Sequence, residues 1–193
     1  TLTLSGGNAK TNYRVTADFR DAEGIDLRSD RMEYGARANV SHTTKDGLFT
    51  FTASMTPRII KRNKSAGSVF KNALLNNPTN PIYDDNTKNG FYAWPSAEPG
   101  YNIIEQMSEE IDMTEIKLLE WNASAGINIL PLFTPKNNNM TLKSVLSVSQ
   151  KLVDKFGGYF TPSTYASNIN NAIQGSASRS YDTSTDTNLE WVT

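Results

Sequence analysis

Residues 30–54, DRMEYGARANVSHTTKDGLFTFTAS, change character with a period of two on both sides of Asp46-Gly47. Met32, Tyr34, Ala36, Ala38 and Val40 alternate with Glu33, Gly35, Arg37, Asn39 and Ser41. After the corner, Phe49, Phe51, Ala53 and Met55 alternate with Thr50, Thr52 and Ser54. Successive side chains of a strand point to opposite faces, so the stretch reads as a hairpin with one apolar face and one polar or small face.

The same pattern recurs. Tyr13, Val15, Ala17 and Phe19 oppose Asn12, Arg14, Thr16, Asp18 and Arg20, while Trp121, Ala123, Ala125, Ile127 and Ile129 oppose Asn122, Ser124, Gly126 and Asn128. Weaker versions involve Leu142, Leu146 and Val148, then Leu189 and Trp191. These predict seven strands, over 1–5, 12–20, 31–43, 48–60, 115–130, 140–153 and 178–193. Connections at GGNAKT, TKDG and PLFTPKNNN are short and rich in corner-forming residues. Those at 21–30, 61–114 and 154–177 are long, so short and long alternate along the chain.

In an up-and-down meander alternate connections lie at opposite ends, so one end is trimmed and the other elaborated. Outer-membrane barrels have this habit, with an apolar face toward lipid and a polar face toward a wet lumen. A soluble antiparallel sandwich also alternates, turning its apolar face to a core. Strand length and the segregation of connections by end favour the barrel, because ~9–11 residues suffice to cross a bilayer obliquely. On this reading Tyr34, Ala38, Phe49, Phe51, Trp121 and Ile127 face lipid, and Arg14, Asp18, Arg37 and Asn39 face the lumen. Arg20 and Glu33 join the lumen set as cross-strand ion-pair candidates.

Composition removes several other classes. Nineteen basic against 20 acidic residues give no cationic surface for nucleic acid or an anionic membrane. Without cysteine there is no disulfide framework or thiolate chemistry, and a single histidine, His42, leaves little room for imidazole catalysis. No apolar run approaches the ~20 residues of a membrane-spanning helix. The start, TLTLSGGNAK, lacks signal-peptide features, so either none is used or the natural start lies upstream.

The run LTLSGGNAKTNYRVTADFRDAEGIDLRSDRMEYGARANVSHTTKDGLFTF closely resembles the start of the barrel in SusC/RagA-family TonB-linked outer-membrane transporters. NALLNNPTNPIYD, TEIKLLEWNASAGINILP, GYFTPST and NLEWV extend the resemblance over nearly the whole chain. It implies a transmembrane β-barrel of about twenty-two strands around a plugged lumen, of which this chain supplies about a third. It further implies uptake of oligosaccharides or oligopeptides with a SusD-like surface lipoprotein as lid. TonB acts through a plug, transporter–lipoprotein pairs can dimerise, and no cofactor or catalysis is involved. No TonB box, plug or closing strand is found in these residues, so they are expected to be a segment of a larger polypeptide or one chain of a composite barrel.

Candidate ligand-binding residues concentrate in 61–114, the expected external insertion. Val69, Phe70, Ala73 and Leu74 predict a short helix, with Ser65 or Ser68 as cap and Pro78 as stop. Tyr83, Phe91, Tyr92, Trp94 and Tyr101 are candidate stacking platforms for sugar rings or peptide side chains, with Asp84, Asp85 and Asn86 supplying hydrogen bonds. The same aromatics serve equally as packing within the loop or against a partner subunit. Asp84, Asp85, Asn86 and Asn89 match a calcium loop poorly. Glu105, Glu109, Glu110 and Asp112 read as a solvated acidic face with no catalytic pair, and His42 as an exposed or lumen-edge residue. A soluble or surface-attached sandwich that binds carbohydrate is the rival reading of the whole chain.

Overall fold

The computed structural model describes residues 1–65, 69–87, 89–93, 102–129, 142–162 and 175–193. Seven strands form one antiparallel sheet whose spatial order is the sequence order: β1 (Leu2–Gly7), β2 (Thr11–Glu23), β3 (Asp30–Thr43), β4 (Phe49–Lys64), β5 (Ile111–Asn128), β6 (Lys143–Thr161) and β7 (Ser176–Val192). Two short helices, α1 (Val69–Leu75) and α2 (Ile103–Glu109), lie between β4 and β5. Ser68, one of the two expected caps of the first helix, lies outside the described residues.

Several strands run beyond their expected limits at the long-connection end. β2 continues to Glu23, β4 to Lys64 and β6 to Thr161, and β5 begins at Ile111. The corners are local chemistry. At the β3–β4 turn Gly47 N–H donates to the Thr44 carbonyl at 3.0 Å, and Gly47 holds φ +69° with no atom near its missing Cβ. Thr44 Oγ1 accepts the Phe49 N–H at 3.0 Å, closing the hairpin.

Register carries the face pattern from strand to strand. Tyr13 pairs with Val40, Val40 with Ala53, Ala53 with Ala123, Ala123 with Val148 and Val148 with Leu189. The neighbouring row on the other face runs Arg14, Asn39, Ser54, Asn122, Ser149, Asn188. Pro57 has no N–H to give, and the β3–β4 pairing lapses at Ala36 and Arg37, then resumes in register from Gly35 with Arg58. Tyr34, Ala38, Phe49, Phe51, Trp121 and Ile127 therefore share one face, and Arg14, Asp18, Arg37 and Asn39 share the other. His42 pairs with Phe51 and has the parity of Val40, so it lies on the apolar face and not at the edge of the polar one.

The apolar face is uncovered. Among the described residues the buried apolar side chains are Val69, Ile103 and Met107, none of them in the sheet. Val15, Phe19, Tyr34, Phe49, Phe51 and Leu189 are all exposed, and among the described residues no second sheet lies over them. On β4 the apolar stretch runs from Phe49 to Ile59, about ten steps of ~3.3 Å or roughly 33 Å along the strand.

Above that band the same face turns charged. Lys61 and Lys117 flank Glu115 at 3.9 and 3.4 Å, and Asp154 accepts from the Thr183 hydroxyl at 2.7 Å. Among and beyond these charges apolar side chains return on the same face, Ile111 and Met113 on β5, Phe156 and Phe160 on β6 and Tyr181 on β7, with the Phe156 and Tyr181 rings 4.7 Å apart.

Because only backbone geometry demands glycine at the β3–β4 corner, Gly47→Ala is expected to cost about 1 kcal/mol. A denaturant midpoint that does not move would remove Gly47 from the features that set this hairpin.

Candidate functional site

The long connections gather at one end of the sheet, and the described parts of 65–110 form a small folded cap. Residues 82–84 and 90–92 make a miniature hairpin, in which Asp84 N–H donates to Gly90 O at 3.0 Å and Tyr92 N–H to Ile82 O at 3.0 Å. Its turn is built by Asp84, whose Oδ1 accepts from the Asn86 N–H at 3.0 Å and the Asn86 side-chain amide at 2.8 Å. Thr87 Oγ1 adds bonds to the carbonyls of Asp84 and Phe91 at 2.8 and 2.7 Å. Gly90 at φ +75° completes the reversal.

Asn102 joins this hairpin to α2. Its side-chain amide donates to Ile82 O at 2.7 Å and Tyr92 O at 3.2 Å, while its Oδ1 accepts the Glu105 N–H at 3.3 Å as a helix N-cap. Only 3 % of Asn102 is exposed, so all three bonds are shielded from water. The apolar side of α2, Ile103 and Met107, packs with Val69 of α1 and partly with Ile104.

The carboxylates read as a solvated face are not one. Glu105 is 1 % exposed and accepts a hydrogen bond from the Asn89 side-chain amide, and Glu110 is 8 % exposed beside Gln106. The helix turns them inward because its outer neighbours are the hairpin and the sheet edge, partners that lie far away in sequence. Burial pushes the Glu110 carboxyl above the usual carboxylate range, opposed by the Gln106 amide. Arg28, at φ +63°, reaches across from the β2–β3 connection and donates from Nη1 to the Glu110 carbonyl at 3.2 Å.

Tyr83 and Phe91 form a tilted ring pair with centroids 5.6 Å apart, and Tyr83 is 63 % exposed. Tyr83 thus offers an open aromatic surface on a rigid hairpin, with the exposed Asp85 at the adjoining turn. Tyr92 is half-buried and fixed through its backbone to Asn102. Trp94 and Tyr101 lie outside the described residues. Next to the hairpin is a hollow of about 400 Å³ lined by Ile25, Leu27, Phe70, Ile82, Ile103 and Met107. Sequence reasoning passed over Ile25 and Leu27, which line this hollow while staying 93 % and 51 % exposed.

The polar face carries hollows of about 530 and 710 Å³. Asn39, Ser54, Asn122, Ser149 and Asn188 line the first together with Arg37, Glu120, Lys151 and Asp186, so it presents amide and hydroxyl groups among charges of both signs. Glu120 and Lys151 pair at 3.4 Å at its rim. Asp18 lies over Gly35, whose missing Cβ leaves room for the carboxylate. Glu33, expected to pair across strands, instead forms an ion pair with Arg31 two residues along its own strand. Among the described residues no three His, Asp or Glu side chains converge as a metal would need.

Removing the cap's hub by Asn102→Ala is expected to cost about 1–3 kcal/mol locally, from a lost N-cap and two orphaned carbonyls. Hydrogen exchange should quicken over 103–109 while the sheet is unchanged; uniform exchange would deny Asn102 that role. Because Glu110 is more easily protonated folded than unfolded, the cap should gain stability as pH falls through its raised pKa, levelling off below its ordinary value of 4.5. Glu110→Gln should abolish that dependence, measured as exchange rates against pH.

No protein-family model matches this chain, and no curated protein matches it either.

Proposed function

We propose that this chain forms part of the wall of a β-barrel outer-membrane importer of the SusC/RagA type, taking up oligosaccharides or oligopeptides. The observation that carries the reading is the single sheet whose whole apolar face is left uncovered while its other face is polar and hollowed. Soluble monomers rarely expose contiguous apolar patches beyond a few hundred Å². Hydrocarbon is the solvent that suits such a face, and at the ~40° tilt of a membrane barrel the apolar stretch of β4 would span roughly 25 Å of it. The resemblance of the sequence points the same way.

In this reading the amide- and hydroxyl-lined inner face keeps a wet path, and the cap of hairpin and helices stands outside as the capture surface. A SusD-like lipoprotein closes over that surface, and TonB supplies energy through a plug carried elsewhere in the transporter. Further strands continue the ladder from β1 and β7. Import moves the ligand without breaking a bond.

The wall reading makes opposite demands on adjacent positions. Ala38→Arg is expected to cost about 2–4 kcal/mol near the bilayer midplane, while Asn39→Arg is mild. Folding into phospholipid vesicles against urea measures both. Equal costs at the two positions, or a wild-type protein that stays monodisperse with no detergent, would replace the wall by a soluble sheet protein. For capture, Tyr83→Ala should weaken binding of the imported oligosaccharide or peptide and leave assembly intact; unaltered affinity assigns Tyr83 to packing.

A further inference from the structure

The polar face is not uniform. On it Ile60 pairs across strands with Ile116, and Leu118 with Val153, on adjacent rows of β4, β5 and β6. All four are half-buried aliphatic side chains in a face made mainly of amides, hydroxyls and charges.

Cations border this patch. Arg58 stands directly across from Leu118, Lys155 directly across from Ile116, and Arg62 one row beyond Ile60 on the same strand. Among the described residues none of the three is in an ion pair. The nearby carboxylates do not neutralise them: Glu33 is taken by Arg31, Asp18 lies over Gly35, and Asp182, opposite Lys155 in register, makes no ion pair with it. Arg62 is also directly opposite Arg31, a like-charge pair that costs stability. Its Nε is shielded and has no acceptor among the described residues. The near balance of 19 basic and 20 acidic residues over the chain conceals this local excess of positive charge.

We infer that this part of the polar face binds an acidic oligopeptide, its carboxylates held by Arg58, Arg62 and Lys155 and an apolar side chain seated on Ile60, Ile116, Leu118 and Val153. The inference rests on the importer reading above and narrows its cargo to one class. Guanidinium and carboxylate match as a fork of two charge-assisted hydrogen bonds. A sugar supplies hydroxyls but no side chain for an aliphatic patch, and its rings stack on aromatic faces, which this patch lacks. Spacing sets the order of the peptide. Arg58, Ile60 and Arg62 follow one another on one face of β4 at steps of about 6.8 Å, which is also the distance between alternate side chains of an extended peptide. A peptide lying along β4 therefore presents acid, apolar and acid at its first, third and fifth residues. Toward the short-connection end Arg37, one row below Arg58, lines the first polar hollow, so the site opens onto the wet path.

The test uses the full transporter, purified in detergent and titrated by calorimetry with acetylated, amidated pentapeptides. The first carries glutamate, leucine and glutamate at its first, third and fifth residues with serine between. The second replaces both glutamates by glutamine, and the third replaces leucine by serine. The first should bind about tenfold more tightly than either of the others, the loss of one charge-assisted contact or of one buried apolar side chain. Arg58→Gln should erase the preference for glutamate, and Lys155→Gln, at an exposed position, should act in the same direction. Leu118→Asn should erase the preference for leucine. Equal binding of the three peptides would overturn the site. Unchanged affinities in all three variants would overturn it too, leaving the patch to pack against the rest of the transporter. An oligogalacturonate that binds as tightly as the first peptide and is lost with Arg58→Gln would replace the peptide by an anionic sugar. Any of these results from a transporter that inserts normally into phospholipid vesicles refutes this inference alone. Failure to insert refutes the wall reading with it.

Discussion

Backbone pairing between neighbouring strands is the constraint on which everything else in this molecule depends. Each hairpin corner fixes a register, and each register hands on the parity of the strand before it. A slip of one residue anywhere would move every later apolar side chain to the polar face. The pairing tolerates Pro57, where N–H donation fails locally, because Gly35 with Arg58 and Ala38 with Met55 keep the same register on either side. The same ladder leaves one side of β1 and one side of β7 without a strand neighbour among the described residues. In hydrocarbon each unsatisfied backbone group costs several kcal/mol. The wall reading is thus also a statement that these edges are paired in the membrane.

Among the described residues the sheet has no buried apolar core. Its stabilisation comes from the ladder and from cross-strand side-chain pairs, such as the Phe19–Tyr34 rings at 5.1 Å and the Trp121 N–H to Gln150 bond at 3.1 Å. Among the described residues the buried apolar cluster belongs to the cap, where chain with no ladder must bury something to hold its shape. The two halves of the molecule therefore obey different rules: alternation governs the sheet, and burial governs the cap.

That division explains what the sequence made legible. Period-two alternation is local, so the seven strands and the two faces could be read from neighbouring residues alone. Toward the long-connection end alternation weakens because charged and apolar side chains share one face: Lys61, Glu115 and Lys117 stand with Ile59 and Leu119. The start of β5 at Ile111 was missed for this reason, and the Gly157-Gly158 pair hid the end of β6. In the cap the decisive partners are distant in sequence. Nothing near Glu105 announces that Asn89 will meet it, and nothing near Asn102 announces the carbonyls of Ile82 and Tyr92. A run of carboxylates on a short helix looks solvated until the hairpin that covers it is known.

The cap's construction bears on what it can capture. An aromatic platform holds a ring well only if its backbone is already fixed, because ordering it on binding would subtract from the affinity. Tyr83 meets that condition through the Asp84 turn, its bridge to Phe91 and the Asn102 hub behind it. Arg28 then ties the cap's base to the β2–β3 connection in a left-handed conformation that an arginine adopts only at a cost. Strain accepted at that point is compensated by a contact spanning two long connections. The cap and the sheet thus meet at Glu110, where the cap ends and β5 begins, and Arg28 fixes that junction through one carbonyl.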